Sequence, residues 1–194
     1  MITILLLGHN IKPLNIINAL EEKGCSVKFR SEKIKDYKEI SNYDFIISYG
    51  YRHIIKQECI EKINNPIINL HISYLPFNRG AHPNFWSFYD ETPSGVSIHL
   101  VDSGIDTGPI LFQKKISFDK EKTFSETYIA LKKEIEKLFL MNVDNILKKN
   151  WSPIKQKNKG TFHSLNDLPS SFKGWDSNIH EEITRLKKET LKNI

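Results

Sequence analysis

Short apolar runs, punctuated by Gly, Pro or Asn and separated by helical segments, recur along the chain, and this alternation is typical of an α/β fold with a mostly parallel sheet. Strands are predicted at residues 2–8, 26–29, 45–49, 66–72, 96–101 and 109–113. Helices are predicted at residues 13–23, 55–64, 81–89, 123–149 and 181–192. We therefore expect a Rossmann-like, mostly parallel twisted sheet with helices on both faces.

The length of 194 residues suits one compact domain, because a chain of this size can bury a full core without disulfides. We expect residues 1–149 to form that domain and the polar residues 150–194 to form a short C-terminal extension packed on or beside it. The chain has only two cysteines, Cys25 and Cys59, and they lie far apart in the sequence. Such sparse use of cysteine is typical of proteins in the reducing cytoplasm.

The apolar start of the chain, residues 1–8, has no basic leader and is much shorter than the roughly 20 residues that span a bilayer. We therefore expect a buried strand there and no membrane partner. The net charge of +5 permits a phosphorylated partner without requiring one. The basic residues near the C-terminus are interpreted as a solvated surface, and no nucleic-acid partner is expected. No segment fixes an oligomer interface, so a homodimer is left open.

Two polar residues interrupt the predicted strand 66–72. Because successive side chains of a strand face opposite ways, Asn69 and His71 share one side, and Ile68 and Leu70 share the other. A lone buried Asn or His is usually a hydrogen-bonded core residue. For two such residues on one face of a strand, the sequence supports a functional role as well as it supports a structural one. An amide N–H and an imidazole aimed at one carbonyl could stabilise negative charge on its oxygen and relay a proton.

Two carboxylates lie in the glycine-containing turn 102–108. Asp102 and Asp106 taken alone are ordinary turn residues, because Asp often hydrogen-bonds nearby backbone in loops. Beside the Asn/His pair, one of them could be the base that an attacking amine needs. A metal site is not predicted, since the histidines lack ligand spacing and no Cys pair accompanies them. The sequence also has no Gly-x-Ser-x-Gly turn and no glycine-rich phosphate loop.

Four motifs follow one another in the middle of the chain: Asn69-Leu-His71, Leu75-Pro-Phe-Asn-Arg-Gly80, Gly95-Val-Ser-Ile-His99 and Asp102-Ser-Gly-Ile-Asp-Thr-Gly108. In this order they resemble the formyltransferases that use N10-formyltetrahydrofolate. The predicted elements of residues 1–149 are also similar to the catalytic domain of that family. The resemblance implies a folate-dependent N-formyltransferase with N10-formyltetrahydrofolate as co-substrate and no metal.

The resemblance implies roles for three residues in the reaction. Asn69 and His71 would stabilise the oxygen of the tetrahedral intermediate that forms when an amine attacks the formyl carbon. Asp106 would accept the amine proton, through water or through His71. The residues that would bind the folate co-substrate are Tyr49, Gly50, Tyr51, Arg52, His53, Ile55, Asp102 and Gly104.

The acceptor amine is inferred from the resemblance to subfamilies. Relatives that formylate methionyl-tRNA carry a larger C-terminal domain than residues 150–194 could form. Relatives that formylate glycinamide ribonucleotide carry a phosphate-binding turn that Gly8-His-Asn-Ile-Lys12 does not match. The stretch 79–86, followed by 161–163 and 174–176, is similar to the formyltransferases of nucleotide-linked amino sugars for surface polysaccharides. The implied sugar-binding residues are Asn78, Arg79, Gly80, His82 and Asn84.

Three other functions remain open at this stage. Formylation of glycinamide ribonucleotide is the main enzymatic alternative. A hydrolase would use the same three residues with water in place of the amine. A folate-binding protein without catalysis would keep the fold, although the presence of Asn69, His71 and Asp106 argues against it.

Overall fold

Strands and helices alternate along the chain in the computed structural model, which describes residues 1–119, 121–157 and 159–192. The strands are β1 (Thr3–Gly8), β2 (Ser26–Arg30), β3 (Phe45–Tyr49), β4 (Ile67–His71), β5 (Arg79–Gly80), β6 (Gly95–Leu100), β7 (Ile110–Lys115) and β8 (Phe162–His163). The α-helices are α1 (Leu14–Glu22), α2 (Gln57–Lys62), α3 (Pro83–Tyr89), α4 (Phe124–Leu147) and α5 (Ile179–Lys192). Every predicted strand and helix is found, with ends shifted by at most two residues, whereas the short strands β5 and β8 were not predicted.

Six of the strands form one sheet in the order β2–β1–β3–β4–β6–β7. The first four of these pair in parallel, and β6 runs antiparallel to both β4 and β7. Parallel neighbours need a crossover, which α1 supplies between β1 and β2 and α2 supplies between β3 and β4. The predicted mostly parallel sheet is confirmed, and the connection between β6 and β7 is a long hairpin loop.

Both faces of the sheet are covered, as β1 illustrates. Ile4 and Leu6 pack into a cluster with side chains of α1 and α4, whereas Leu5 and Leu7 pack on the opposite face with Cys59 of α2. All four β1 side chains are at most 1% exposed. Alternation of side chains along a fully buried strand requires this double covering, so helices on both faces are confirmed.

The long helix α4 begins at a capping box. The side chain of Thr123 accepts a hydrogen bond from the backbone N–H of Glu126, and the carboxylate of Glu126 accepts one from the backbone N–H of Thr123. A stripe of buried residues at helical spacing then packs on the sheet. Its members are Leu131, Ile135, Phe139, Val143 and Ile146.

The residues after α4 return to β7 and to β5. Ile154 forms an antiparallel bridge with Ile110, and β8 pairs in parallel with β5. Helix α5 packs through Ile179, Ile183 and Leu186 into an aromatic cluster that includes Phe85 of α3. The predicted boundary at residue 149 stays a prediction.

Candidate active site

A cleft of about 1250 Å³ opens at the carboxyl ends of β1, β3 and β4. It is lined by the loop after β1, residues 49–55 after β3, the end of β4, residues 80–83 and the loop after β6. Helix α4 adds Tyr128, Lys132 and Glu136 to one wall. Open α/β sheets bind ligands at this edge, because the loops leaving parallel strands diverge there.

Asn69 and His71 both line this cleft. They alternate along β4 with Ile68 and Leu70, which are 0% and 3% exposed and lie in the core. The strand therefore presents two polar side chains to the cleft while its apolar residues stay in the sheet core, as the period of two predicts.

Asp106 reaches the same point from the loop between β6 and β7. Its Oδ1 accepts a hydrogen bond from Nδ2 of Asn69 at 3.1 Å, and its Oδ2 accepts one from the backbone N–H of Gly80 at 2.9 Å. The Nε2 atom of His71 lies 3.6 Å from Oδ2 of Asp106. The backbone of Asp106 is left-handed, with φ of 53°, a conformation that Asp tolerates better than most residues. Asn69, His71 and Asp106 are thus brought together.

The cluster favours a carboxylate beside a neutral imidazole at neutral pH. Burial alone would raise the pKa of Asp106, but His71, His99 and the N–H of Gly80 outweigh this effect and hold that pKa below its ordinary value. Burial lowers the pKa of His71, and the neighbouring charge of Asp106 offsets this only in part. The pair can therefore take up a proton from a group in the cleft.

His99 belongs to this cluster, although the sequence motifs gave it no role. Its Nδ1 lies 2.8 Å from the carbonyl oxygen of Leu100, so a proton on Nδ1 is donated there. In the neutral ring Nε2 is then an acceptor, and Nδ2 of Asn69 donates to it at 3.2 Å. Both Nδ2 hydrogens of Asn69 are directed at His99 and Asp106. The alternation of polar and apolar residues along β6 is the sequence signal for His99. The sequence does not show, however, that β6 pairs with β4.

Asp102 shapes its own loop. Its Oδ1 accepts hydrogen bonds from the backbone N–H of Gly104 at 3.1 Å and from Oγ1 of Thr107 at 2.6 Å. These contacts are those of a turn residue. Of the two carboxylates that the sequence offered as a base, the structure places Asp106 and not Asp102 beside Asn69 and His71.

The residues assigned to the folate co-substrate by resemblance all line the cleft: Tyr49, Gly50, Tyr51, Arg52, His53, Ile55, Asp102 and Gly104. Large aliphatic side chains with more than 40% exposure also gather on it. They are Ile11, Leu14, Ile54, Ile105 and Leu165. Exposed apolar residues concentrated around one concavity are typical of a ligand site.

The residues assigned to an amino sugar fall into two groups. Gly80 and His82 line the cleft. Asn78 is 1% exposed, and its side chain is hydrogen-bonded to Thr92 and Thr161. These contacts support the fold, and the expected sugar contact of Asn78 stays a prediction.

Arg79 and Asn84 also lie away from the cleft lining. The guanidinium of Arg79 donates to the carbonyl oxygen of Lys159. Asn84 is 4% exposed, and its Nδ2 donates to the carbonyl oxygen of Phe124 at 2.8 Å. Helix α3 turns the side chain of Asn84 towards α4, and the expected sugar contacts of Arg79 and Asn84 stay predictions.

A second polar network on the cleft wall was not predicted. The hydroxyl of Tyr49 donates to Oε1 of Glu136 at 2.9 Å, and Nδ2 of Asn15 donates to Oε2 at 3.1 Å. Burial, reinforced by the charge of Glu136, raises the pKa of Tyr49. The network ties α4 to the start of α1 and to the end of β3, across a sequence separation that no local pattern reveals.

The described ranges, 1–119, 121–157 and 159–192, show neither a metal-binding cluster nor a membrane-spanning helix. They contain no group of three or more His, Cys, Asp or Glu residues arranged to hold a metal ion. Within the same ranges, no helix combines the length and apolar character needed to cross a bilayer.

Comparison with known proteins relates the chain to curated methionyl-tRNA formyltransferases by sequence and to solved formyltransferase structures by fold. Residues 12–143 match the family described as Formyl transferase. The chain is 38% identical over 118 residues to a methionyl-tRNA formyltransferase of Finegoldia magna, covering 60% of this chain and 36% of that protein. It is 36% identical to the methionyl-tRNA formyltransferase of Thermodesulfovibrio yellowstonii, covering 68% and 44%. The chain spans 36% to 53% of the length of the curated relatives it matches.

The solved structures include one with near-complete overlap. The formyltransferase PseJ from Anoxybacillus kamchatkensis, in complex with UDP-4,6-dideoxy-4-formamido-L-AltNAc and tetrahydrofolate, superposes with a TM-score of 0.84 and 40% identity, covering 92% of this chain and 96% of PseJ. A sugar N-formyltransferase from a Shewanella species has a TM-score of 0.79 and 22% identity, covering 95% and 87%, and supports the fold alone.

Proposed function

Because this chain belongs to the formyl transferase family, we propose that it transfers a formyl group from N10-formyltetrahydrofolate to the primary amine of a nucleotide-linked amino sugar. The family resemblance of the four sequence motifs is confirmed by that match. The observation that carries the proposed chemistry is the convergence of Asn69, His71 and Asp106 in one cleft.

The proposed reaction uses each of these residues at a defined atom. The amine nitrogen attacks the formyl carbon, a new C–N bond forms, and the carbonyl electron pair moves onto oxygen. His71 and Nδ2 of Asn69 stabilise that oxygen, for which Asn69 exchanges one of its present hydrogen-bond acceptors. Asp106 takes the amine proton, through His71 or water. The electron pair on oxygen then re-forms the carbonyl and the bond to N10 breaks. The proton held by Asp106 passes to N10, which leaves as the neutral secondary amine of tetrahydrofolate.

The lining of the cleft suits the formyl donor. Ile11, Ile54 and Ile105 are 87%, 72% and 45% exposed at the cleft, and covering them with the flat rings of a folate would remove apolar surface from water. Lys12 and Arg52 are cationic groups on the same lining and suit carboxylates or phosphates. This combination supports a ligand with both aromatic and anionic parts.

The overlap with PseJ supports the choice of acceptor. At 40% identity the match covers 92% of this chain and extends beyond the family match of residues 12–143. The co-structure of PseJ holds a nucleotide-linked formamido sugar and tetrahydrofolate. By analogy, we expect this chain to act in the cytoplasm on a precursor of a surface polysaccharide such as lipopolysaccharide.

The test is incubation of the purified chain with N10-formyltetrahydrofolate and one acceptor at a time, read by mass spectrometry. The acceptors are a UDP-linked 4-amino sugar, glycinamide ribonucleotide and methionyl-tRNA. We expect a gain of one formyl group on the sugar nucleotide. Formylation of the ribonucleotide or the tRNA alone would overturn the choice of acceptor, and release of formate without any acceptor would indicate a hydrolase.

A further inference from the structure

Gln156 is outside the cleft lining, yet it contacts the backbone of the loop that carries Asp106. Its Nε2 donates to the carbonyl oxygen of Asp106 at 2.9 Å and to that of Gly108 at 2.8 Å. These bonds use both hydrogens of the amide. The reversed amide would place Oε1 against two carbonyl oxygens, so the contacts also fix its orientation.

The loop that Gln156 holds has little freedom to adjust. Asp106 is left-handed at φ of 53°. A Cβ on Gly108 would lie 1.8 Å from the carbonyl oxygen of Leu100, so the loop passes very close to the end of β6. Rotation of the peptide after Asp106 would turn its carbonyl away from Gln156. The same rotation would move the carboxylate relative to Asn69 and Gly80.

The segment 151–157 and 159–163, here called the return segment, supports Asp106 at two points. Ile154 pairs with Ile110 through two backbone hydrogen bonds of 2.8 Å, which places Gln156 beside the loop. Farther along, β8 pairs with β5, and Gly80 of β5 donates its N–H to Oδ2 of Asp106. The return segment thus supports the backbone of Asp106 through Gln156 and its carboxylate through β5.

We propose that Gln156 is a positioning residue that keeps the carboxylate of Asp106 against Asn69, His71 and the N–H of Gly80. Its effect on turnover rests on the proposed function, whereas its effect on the carboxylate does not. The titratable side chains that face the Asp106 carboxylate are His71 of β4 and His99 of β6. From β5 only the backbone N–H of Gly80 reaches it, and Gln156 itself carries no charge.

The decisive variant is Gln156→Met, which keeps the length of the side chain and removes both donors. Lys155→Met is the matched control, because it introduces the same residue at an exposed neighbouring position. For Gln156→Met we expect kcat to fall at least about tenfold while KM for both substrates changes less than about threefold. The acid limb of the kcat profile should move to higher pH. A displaced Asp106 carboxylate would lose its hydrogen bonds from Asn69 and Gly80 and would be protonated more easily.

A second measurement is independent of activity. Carboxyl-carbon NMR titration follows Asp106 directly, with its signal assigned by its loss in Asp106→Asn. The titration midpoint should be higher in Gln156→Met than in the wild type and unchanged in Lys155→Met. If the wild type transfers no formyl group, the proposed function fails, and this titration still decides the role of Gln156.

Thermal unfolding separates positioning from simple support of the fold. If Gln156→Met does not fold, Gln156→Asn replaces it, because the shorter amide retains its donors but cannot reach both carbonyl oxygens equally. A folded variant with a lower Tm but with the wild-type kcat, pH profile and Asp106 midpoint would overturn the proposal.

Discussion

Asn69 and His99 are register partners across β4 and β6, and Nδ2 of the amide lies 3.2 Å from Nε2 of the imidazole. The other nitrogen of His99 is held by the carbonyl oxygen of Leu100 at 2.8 Å. The backbone of β6 therefore determines that Nε2 of His99 is the nitrogen that faces Asn69. This nitrogen in turn orients the side-chain amide of Asn69.

Replacement of His99 by Leu should lower kcat by up to about 100-fold, because the amide of Asn69 loses the acceptor that orients it. Leu is similar in volume and suits the buried position of His99, which is 1% exposed. Steady-state kinetics with both substrates would measure the effect. Wild-type kcat in a folded His99→Leu variant would show that Asn69 is oriented by other contacts.

Loss of the carboxylate charge should be more severe than loss of His99. Asp106→Asn is expected to lower turnover by at least about 100-fold, because the neutral amide cannot accept the amine proton. Asn69→Ala and His71→Ala should each have a comparable effect through the formyl oxygen. Asp119→Asn, at an exposed position outside the cleft, is the control. Near-normal rates in all three folded variants would refute the site assignment.

Local patterns in the sequence were sufficient for most of the fold. The apolar run of β1 and the capping box at Thr123 each predict an element whose ends lie within two residues of the observed ones. The alternation of β4 also placed Asn69 and His71 on one side. These features depend on the period of a strand or the spacing of a cap, which are properties of neighbouring residues.

The missed residues all depend on contacts between distant segments. His99 lies beside Asn69 only because β6 pairs with β4, and Gln156 reaches Asp106 across 50 residues of sequence. The burial of Asn78 likewise depends on Thr161 of the return segment. No periodicity within one segment encodes such pairings, so a motif could name Asn78 but could not show that its side chain faces inward.

The pH dependence of stability should reveal the buried His71. Its pKa in the folded chain is below the ordinary value because of burial, so below about pH 6.5 the unfolded chain binds a proton that the folded chain does not. The contribution of neutral His71 to the free energy of unfolding is therefore fully present above that pH. It decreases as the pH falls towards the folded-state pKa, by at most about 1.4 kcal/mol per pH unit.

Urea unfolding at pH 7.5 and pH 5.5 would measure this loss. We expect the wild type to lose more free energy of unfolding between these two values than His71→Gln, which cannot bind the proton. Burial also lowers the pKa of His82, so the variant should keep part of the pH dependence. An identical loss in both proteins would contradict the assignment of a neutral His71.

Gly108 should not tolerate a side chain. A Cβ there would lie 1.8 Å from the carbonyl oxygen of Leu100, which is backbone and cannot rotate away. Gly108→Ala is therefore expected to lower the free energy of unfolding by about 1–3 kcal/mol, as overpacking does. Ser103→Ala, at an exposed position of the same loop, should change it by less than about 0.5 kcal/mol. Equal unfolding midpoints in urea would show that the loop can move away from β6.

The exposed apolar rim should contribute to binding of the formyl donor. Ile54 is 72% exposed on the cleft, and its burial under a folate ring would stabilise the complex by roughly 1–2 kcal/mol. Ile54→Ser should therefore weaken tetrahydrofolate binding about tenfold in isothermal titration calorimetry. Leu191→Ser is the matched control, because Leu191 is 74% exposed on α5 and does not line the cleft. An unchanged Kd in Ile54→Ser would mean that the folate rings bind elsewhere in the cleft, whereas equal weakening in both variants would indicate a general effect on the fold.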